Sequence, residues 1–291
     1  MSKTSAYLQL IRPHQYIKNG FIWLPLFFGY QSSNPRSVVL TAYAFAGFCL
    51  LSSAVYIIND LKDVQDDRRH PIKKRRPLAA GTISPWQAVA LLGVLLGLAS
   101  GLALVLLPTP AKAVMGAYLL LNLAYTYKLK HMPIVDIVCI AMGFVLRVLA
   151  GGESGGIPIS PWIMIMTFLL ALFLALAKRK DDLLLADRGH QVRKAIDGYN
   201  AGFISLAMGI MASVIIVAYL MYAVSPEIIA KHGTHNLYIT AIWVILGLLR
   251  YLQITFVEEK SGSPTRVLLG DRLLQGIIAL WLVHFYVLLY A

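Results

Sequence analysis

Long apolar stretches separated by short polar ones set the pattern of this chain. Eight runs are long enough to cross a bilayer as helices, which takes roughly 17–25 mostly apolar residues. They lie at about 38–58, 86–107, 111–127, 134–150, 161–177, 202–224, 237–257 and 273–291. A ninth run, about 20–30, is short by itself but extends a helix-compatible stretch that begins near Pro13, and it counts as the first helix. It does not read as a cleaved leader. Arg12, Lys18 and Asn19 stand at its front, and no small-x-small site follows. The pattern predicts an all-α, polytopic membrane protein with nine transmembrane helices. It forms a single integral membrane domain over 1–291, with polar loops at about 59–85 and 178–201.

Charge then orients the chain, because cytoplasmic loops gather Lys and Arg. With the N-terminus inside and nine spans, 21 of the 26 Lys and Arg fall on the inner side and 3 on the outer, while Arg147 and Arg250 lie within spans. Dropping the short first helix would put Arg12 and Lys18 outside, so the bias favours nine spans over eight.

Composition narrows the class. Apolar residues make up 58% and charged residues 14%, against about 45–50% and about 25% in soluble domains. A disordered chain and a soluble enzyme are excluded. The net charge of +12 sits between apolar runs, so anionic lipid and phosphorylated substrates are the expected partners rather than nucleic acid. Cys49 and Cys139 both lie inside apolar runs and read as core residues, without disulfide or zinc logic.

The candidate chemistry starts where the second span ends, at Asn59-Asp60-Leu-Lys-Asp63-Val-Gln-Asp66-Asp67. At about 100° per residue, Asp60, Asp63 and Asp67 share a helical face and Asp66 points away. Three carboxylates on one face repel each other unless a cation sits among them. Oxygen ligands suit a hard ion, Mg²⁺ or Mn²⁺, and Ca²⁺ at a structural site would also fit. Beside so many cations, an open carboxylate face implies a metal-bridged diphosphate. The basic run Lys73-Lys74-Arg75-Arg76 reads equally as a solvated inner loop or as a contact to anionic headgroups.

Arg12, Gln15 and Asn19 share a face of the first helix, with Lys18 about 60° beyond it. Polar side chains on a helix entering lipid need a cavity or partner, and Arg and Lys suit phosphate. Snorkelling would also account for Lys18. Tyr125 and Lys130 end the fourth span, and Asp136 begins the fifth, either paired with Lys130 or part of the site. In Lys178-Arg179-Lys180-Asp181-Asp182, Lys178 can reach Asp181 or Asp182 by helical spacing, or the cations can clamp a phosphate. Arg147 lies about 16 Å along its helix from Asp136. That places it near the outer leaflet, where snorkelling, pairing with Glu153 and function stay open. The seven histidines, His14 and His70 included, show no ligand spacing, and no Walker A, GxGxxG or GxSxG motif occurs.

These residues carry a resemblance. Asn59-Asp60-x-x-Asp63-x-x-x-Asp67 after the second of nine spans resembles the first aspartate-rich motif of the UbiA-type intramembrane prenyltransferase superfamily. Tyr125 and Lys130 resemble its fourth-helix element. The resemblance implies nine helices around a central cavity, with Mg²⁺ at the first motif. Four further segments are similar to the decaprenyl-phosphate phosphoribosyltransferase branch. They are Arg12-Pro-His-Gln15-Tyr-Ile-Lys18-Asn19, Arg68-Arg-His70-Pro-Ile-Lys73-Lys-Arg-Arg76-Pro, Arg147-Val-Leu-Ala-Gly and Lys178-Arg179. The usual second motif is aspartate-rich; here the equivalent segment is more basic than acidic, and Asp181 and Asp182 depart a little from the branch as well.

The branch implies transfer of 5-phosphoribosyl from phosphoribosyl diphosphate to a polyprenyl phosphate for an envelope polysaccharide precursor. The expected place is the bacterial inner membrane, with the active site facing the cytoplasm. Asp60, Asp63 and Asp67 are the expected catalytic, metal-holding residues. Gln15, Lys18, Asn19, Asn59, Arg68, Lys73, Arg76, Tyr125, Lys130, Lys178, Arg179 and Asp181 are the expected substrate contacts. Two other readings stay open: an aromatic or quinone-precursor prenyltransferase using an isoprenyl diphosphate, and a non-catalytic lipid carrier or transporter. Nothing marks an interface, so a homo-oligomer also stays open.

Overall fold

The computed structural model describes residues 3–29, 31–69, 73–187 and 194–290. His70, Pro71 and Ile72 of the first polar loop, and 188–193 of the second, lie outside the described residues. Among the described residues there is helix and no strand.

The chain divides into two compact units, residues 1–160 with 189–195, and residues 161–188 with 196–291. The first unit holds α1 (Lys3–Ile11), α2 (Leu24–Phe28), α3 (Pro35–Lys62), α4 (Val64–Arg69), α5 (Pro85–Leu106), α6 (Thr109–Tyr127) and α7 (Val135–Gly155). The second holds α8 (Pro161–Asp187), α9 (Ala201–Val224), α10 (Pro226–His232), α11 (Ala241–Phe256), α12 (Pro264–Gly270) and α13 (Arg272–Tyr290).

The long helices start where local chemistry allows. Asn34 accepts from the backbone N–H groups of Arg36 and Ser37, with Pro35 opening α3. Ser84 and Gln87 form a reciprocal capping box at α5, again with a proline in the first turn. Asn200 caps α9 through the N–H of Phe203.

Each of the eight long apolar runs coincides with a helix. Six helical stretches are long and apolar enough to cross a membrane, and α12 with α13, bent by 83°, would make a seventh as one broken span. The expected span at 111–127 is helical as α6, but Lys112, Asn122 and the tyrosines Tyr118, Tyr125 and Tyr127 keep it outside that group. The polar loops are also more helical than expected. α4 follows α3 after a turn at Asp63, and α8 runs on through Lys178–Asp182 to Asp187.

The first expected span differs most. After α1, Arg12 adopts a left-handed conformation (φ 54°), and Pro13–Trp23 forms a 3-10 helix rather than an α-helix. A residue before proline is disfavoured in the right-handed α region, so the chain breaks there. In a 3-10 helix residues three apart eclipse. Tyr16, Asn19 and Ile22 therefore share one face, and Gln15 and Lys18 share another. This replaces the α-helical face of Arg12, Gln15 and Asn19 expected from the sequence. The observed face packs on α3: Tyr16 Oη is 2.9 Å from Ser53 Oγ, and Ile22 is fully buried.

The core of the first unit lies on α3, where Ala44, Phe48 and Leu51 meet Ala99 of α5, Met115 and Tyr118 of α6, and Ala150 of α7. Gly151 lets the 3-10 helix approach α7 closely, since a methyl group there would collide with the Ile22 carbonyl. In the second unit Phe173 of α8 packs on Tyr251 of α11, ring centroids 5.7 Å apart. Large apolar side chains such as Val94, Leu98, Val105, Leu206, Val217 and Val283 face outward. In water so much exposed apolar surface would be a liability; against lipid it is the ordinary exterior of a spanning helix.

Candidate active site

The end of α3 and the turn after it carry the aspartates, and each meets a cation. Asp60 is buried, and one Arg12 nitrogen, Nη2, donates to both its oxygens at 2.5 and 2.6 Å. The left-handed Arg12 turns the chain where α1 gives way to the 3-10 helix, and its guanidinium also lies 5.0 Å from the Tyr56 ring centroid. Arg76 Nη1 bridges two acids, at 3.0 Å from Asp60 and 2.6 Å from Asp67. Asp63, half-buried at the C-cap of α3, takes the Lys130 ammonium. Lys130 thus joins the aspartate cluster, and its ion pair is with Asp63.

Burial raises the Asp67 carboxyl above its ordinary value of 3.8, and Arg76 opposes that shift without cancelling it. Lys73 adds a weaker attraction, so it lies within electrostatic reach of Asp67. Arg68 is exposed and directs Nε to the Ala79 carbonyl at 3.4 Å. Asn59 and Tyr125 are half-buried beside these groups in sequence.

Among the described residues, no group of three His, Cys, Asp or Glu is arranged to hold one metal ion. The three-carboxylate face expected from an unbroken helix is divided: Asp60 and Asp67 share Arg76, and Asp63 goes to Lys130. The pair is nevertheless suited to a hard cation. A single positively charged nitrogen lies within bonding distance of both Asp60 and Asp67, the place of an ion shared by two carboxylates. Mg²⁺ ordinarily takes one or two carboxylates and fills its shell with water and phosphate oxygens. The donor set therefore fits such an ion.

Deeper in the first unit is a group the sequence left undecided. Arg147 is buried, Nε donating to Asn19 Oδ1 at 2.8 Å, Nη1 to the Gly143 carbonyl at 2.8 Å and Nη2 to Tyr118 Oη at 2.9 Å. It lies 4.8 Å from the Tyr118 ring centroid and 5.3 Å from that of Phe144. It neither snorkels nor pairs with Glu153. Asn19 turns its amide nitrogen toward Cys49 Sγ (3.3 Å) and Ser52 Oγ (3.4 Å). Lys18, half-buried on the neighbouring face, has no hydrogen-bond or ion-pair partner among the described residues. Gln15 is half-buried on the Lys18 face. The Arg147–Asn19–Tyr118 group was missed because its members are far apart in the chain. The available signal was an arginine inside an apolar span, four residues after a glycine.

In the second unit, Arg179 is almost fully buried and ion-paired with Asp182, one turn on. This is an internal salt bridge of the kind foreseen for the segment, here made by Arg179. Asp181 lies against Gly262, where a methyl group would meet its carboxylate, so it packs under the loop after α11. The Lys180 ammonium lies 4.8 Å from the Phe256 ring centroid. Lys178 is half-buried.

The sequence pattern of the UbiA prenyltransferase family matches residues 21–268. The chain is 32% identical to the decaprenyl-phosphate phosphoribosyltransferase of Corynebacterium glutamicum, over 94% of this chain and 83% of the relative. It is also 32% identical to the decaprenyl-phosphate phosphoribosyltransferase of Mycolicibacterium smegmatis, over 96% and 90%. Among solved structures it is similar to a UbiA homolog from Archaeoglobus fulgidus bound to GPP and Mg²⁺. The TM-score there is 0.71 at 19% identity, covering 98% of this chain and all of that one.

Proposed function

The chain belongs to the UbiA prenyltransferase family, and on that premise we propose that it moves 5-phosphoribosyl from phosphoribosyl diphosphate to a polyprenyl phosphate, releasing diphosphate. The product would serve as an envelope polysaccharide precursor. The observation that carries this reading is the cationic excess around the aspartates. Arg12, Arg76 and Lys130 already balance Asp60, Asp63 and Asp67, while Lys18 and Arg147 have no carboxylate partner among the described residues. Two substrates that together bring a diphosphate and two phosphate monoesters match that surplus better than a diphosphate and a neutral ring. Likeness to two phosphoribosyltransferases over nearly the whole chain supports the same donor and acceptor.

The nine spans, cytoplasmic N-terminus, single membrane domain and inner-membrane location belong to this proposal. Their support is the position of the apolar runs and the excess of Lys and Arg on one side.

In the proposed chemistry, the bond from ribose C1 to the diphosphate oxygen breaks, and the diphosphate leaves with the electron pair. An oxygen of the lipid phosphate forms the new bond from the opposite face, so the anomeric centre inverts. That oxygen is already ionised near neutral pH, so no proton has to be removed. The residues act by placement and charge. Arg12 and Arg76 hold Asp60 in place; Lys130 and Lys18 are the cations proposed to meet phosphate oxygens. Asp60, Asp63 and Asp67 supply the carboxylates for a divalent ion, Mg²⁺ or Mn²⁺, with the cation shared by Asp60 and Asp67 as the supporting observation. When bound, such an ion neutralises charge on a departing diphosphate. The proposed substrate contacts of Asn59, Gln15, Arg68, Lys73, Tyr125, Lys178, Arg179 and Asp181 rest on the resemblance of their segments.

The deciding experiment supplies the purified protein with a polyprenyl phosphate and labelled phosphoribosyl diphosphate, and in parallel with a ring acceptor and labelled isoprenyl diphosphate. Label entering lipid only from phosphoribosyl diphosphate is the expected result. Label transferred only from the isoprenyl donor would contradict the assignment.

A further inference from the structure

Arg147 is a full positive charge inside an apolar helix, without a counter-ion among the described residues. Its three hydrogen bonds go to neutral acceptors: the Asn19 amide oxygen, the Gly143 carbonyl and the Tyr118 hydroxyl. Removing an ion from water is costly even after relaxation unless an opposite charge offsets it. Nothing in the first unit's described contacts offsets this one. The site is also built to keep the guanidinium still. Two aromatic rings flank it, and Gly143 stands one turn before it, where an added methyl would lie 3.6 Å from Nη1.

The charge lies close to a second unbalanced cation. Lys18 lies within the 3-10 helix, immediately before Asn19, whose oxygen Arg147 holds at 2.8 Å. Arg147 and, more weakly, Arg12 are near enough to act on the Lys18 ammonium. Arg12 is engaged with Asp60; Lys18 is not engaged by any described residue. Two neighbouring cations repel each other. An anion would relieve that repulsion, and Lys18, half-buried on the face it shares with Gln15, is the member with no hydrogen-bond or ion-pair partner among the described residues.

We propose that Arg147 is a positioning residue for a phosphate monoester: it fixes Asn19 and supplies an immobile charge behind Lys18, which makes the contact. The anion site shares no hydrogen bond with the Arg12–Asp60–Arg76–Asp67 network among the described residues. It deepens the phosphoribosyl-transfer reading, on which its physiological ligand rests, because that reaction brings two phosphate monoesters, one on the sugar and one on the lipid. Hydrocarbon packing alone would have been served by Met or Leu at 147. A lysine there would keep the charge but, as a compact point charge, could not span Asn19, Gly143 and Tyr118 together.

The test uses the full-length protein in detergent with two probes that share the phosphate and differ in what carries it, ribose 5-phosphate and farnesyl phosphate. Binding is read by thermal shift, independently of turnover. KM and kcat for both substrates are read beside it in wild type, Lys18→Met, Arg147→Met and Arg147→Lys. One probe should bind wild type. Its Kd and the KM of the corresponding substrate should rise at least about tenfold in Lys18→Met and in Arg147→Met, with the other substrate's KM within about twofold. Arg147→Lys should recover part of the loss. Should Arg147→Met fail to fold, Lys18→Met and Arg147→Lys still decide the matter. The proposal is overturned if neither monoester binds wild type, if the variants bind as wild type does, or if Lys18 and Arg147 affect different substrates. Failure of the reaction assignment looks different: monoester binding lost in the variants, but no transfer from phosphoribosyl diphosphate by wild type.

Discussion

Asp60 is a buried carboxylate held by two ion pairs. Two arginines converge on it from either side in sequence, 48 residues before and 16 after. Removing the charge would leave both guanidiniums without this carboxylate, and a buried ion deprived of its partner costs about 3–5 kcal/mol. Asp60→Asn should therefore lower transfer at least about 100-fold, and lower thermal stability as well; near-normal turnover would contradict its role. Asp67 should behave in the opposite way on stability. Its carboxyl is raised by burial. Between 3.8 and its higher folded value, the folded state holds a proton the unfolded state lacks, so the stability it contributes falls as pH rises through that window. Asp67→Asn should match or exceed wild-type stability at pH 7, with the gap closing toward pH 4, while transfer is lost. A melting series over pH, substrate-free, checks this; a variant weaker at pH 7 that recovers in acid would mean that the Arg76 pair dominates. The acids and cations of this cluster were legible as local spacings. Their pairings were not, since Arg12 and Asp60, or Lys130 and Asp63, meet only through the fold. Arg147 and Asn19, 128 residues apart, illustrate the limit.

At the scale of elements, apolar periodicity located every long helix, because a bilayer span needs length and little else. It failed where the period itself changes. Pro13–Trp23 has a composition compatible with an α-helix, yet the break at Arg12-Pro13 and the pull of α3 on every third residue favour the 3-10 form. Its close seat on α7 depends on Gly151, where any side chain would strike the Ile22 backbone. Gly151→Val should cost about 1–3 kcal/mol by overpacking. It should also reduce activity by displacing Asn19 and Lys18. Gly97→Ala on α5, with open space around it, should be neutral or stabilising by up to about 1 kcal/mol through helix propensity. Detergent melting of the two variants separates them; equal effects would show that Gly151 carries no packing constraint.

For the molecule as a whole, the mean hydropathy of +0.68 points to lipid as its solvent, and the asymmetric cations are the support for the proposed orientation. The proposed orientation puts Ser33 outside and Thr82 inside. With Cys49 and Cys139 replaced, a single cysteine at 33 should react with an impermeant maleimide on intact cells, and one at 82 only after permeabilisation. The reverse pattern would invert the topology. Composition could not reveal that the Lys178–Asp182 segment stays helical with Arg179 paired to Asp182, because that outcome depends on how α8 packs within its unit. Net charge told of anionic partners; it did not tell which cations would be left unbalanced once folding had paired the rest.

The central claim is that this protein joins ribose to lipid phosphate using a divalent ion held by the aspartates at the end of α3. Its most direct measurement is the yield of lipid-linked phosphoribose from purified protein, phosphoribosyl diphosphate and a polyprenyl phosphate, followed through removal of metal with EDTA and return of Mg²⁺, with Asp60→Ala alongside. The account predicts product that stops on chelation, resumes with Mg²⁺ and never forms in the variant. Product that persists unchanged in EDTA, or that Asp60→Ala makes at the wild-type rate, would contradict it.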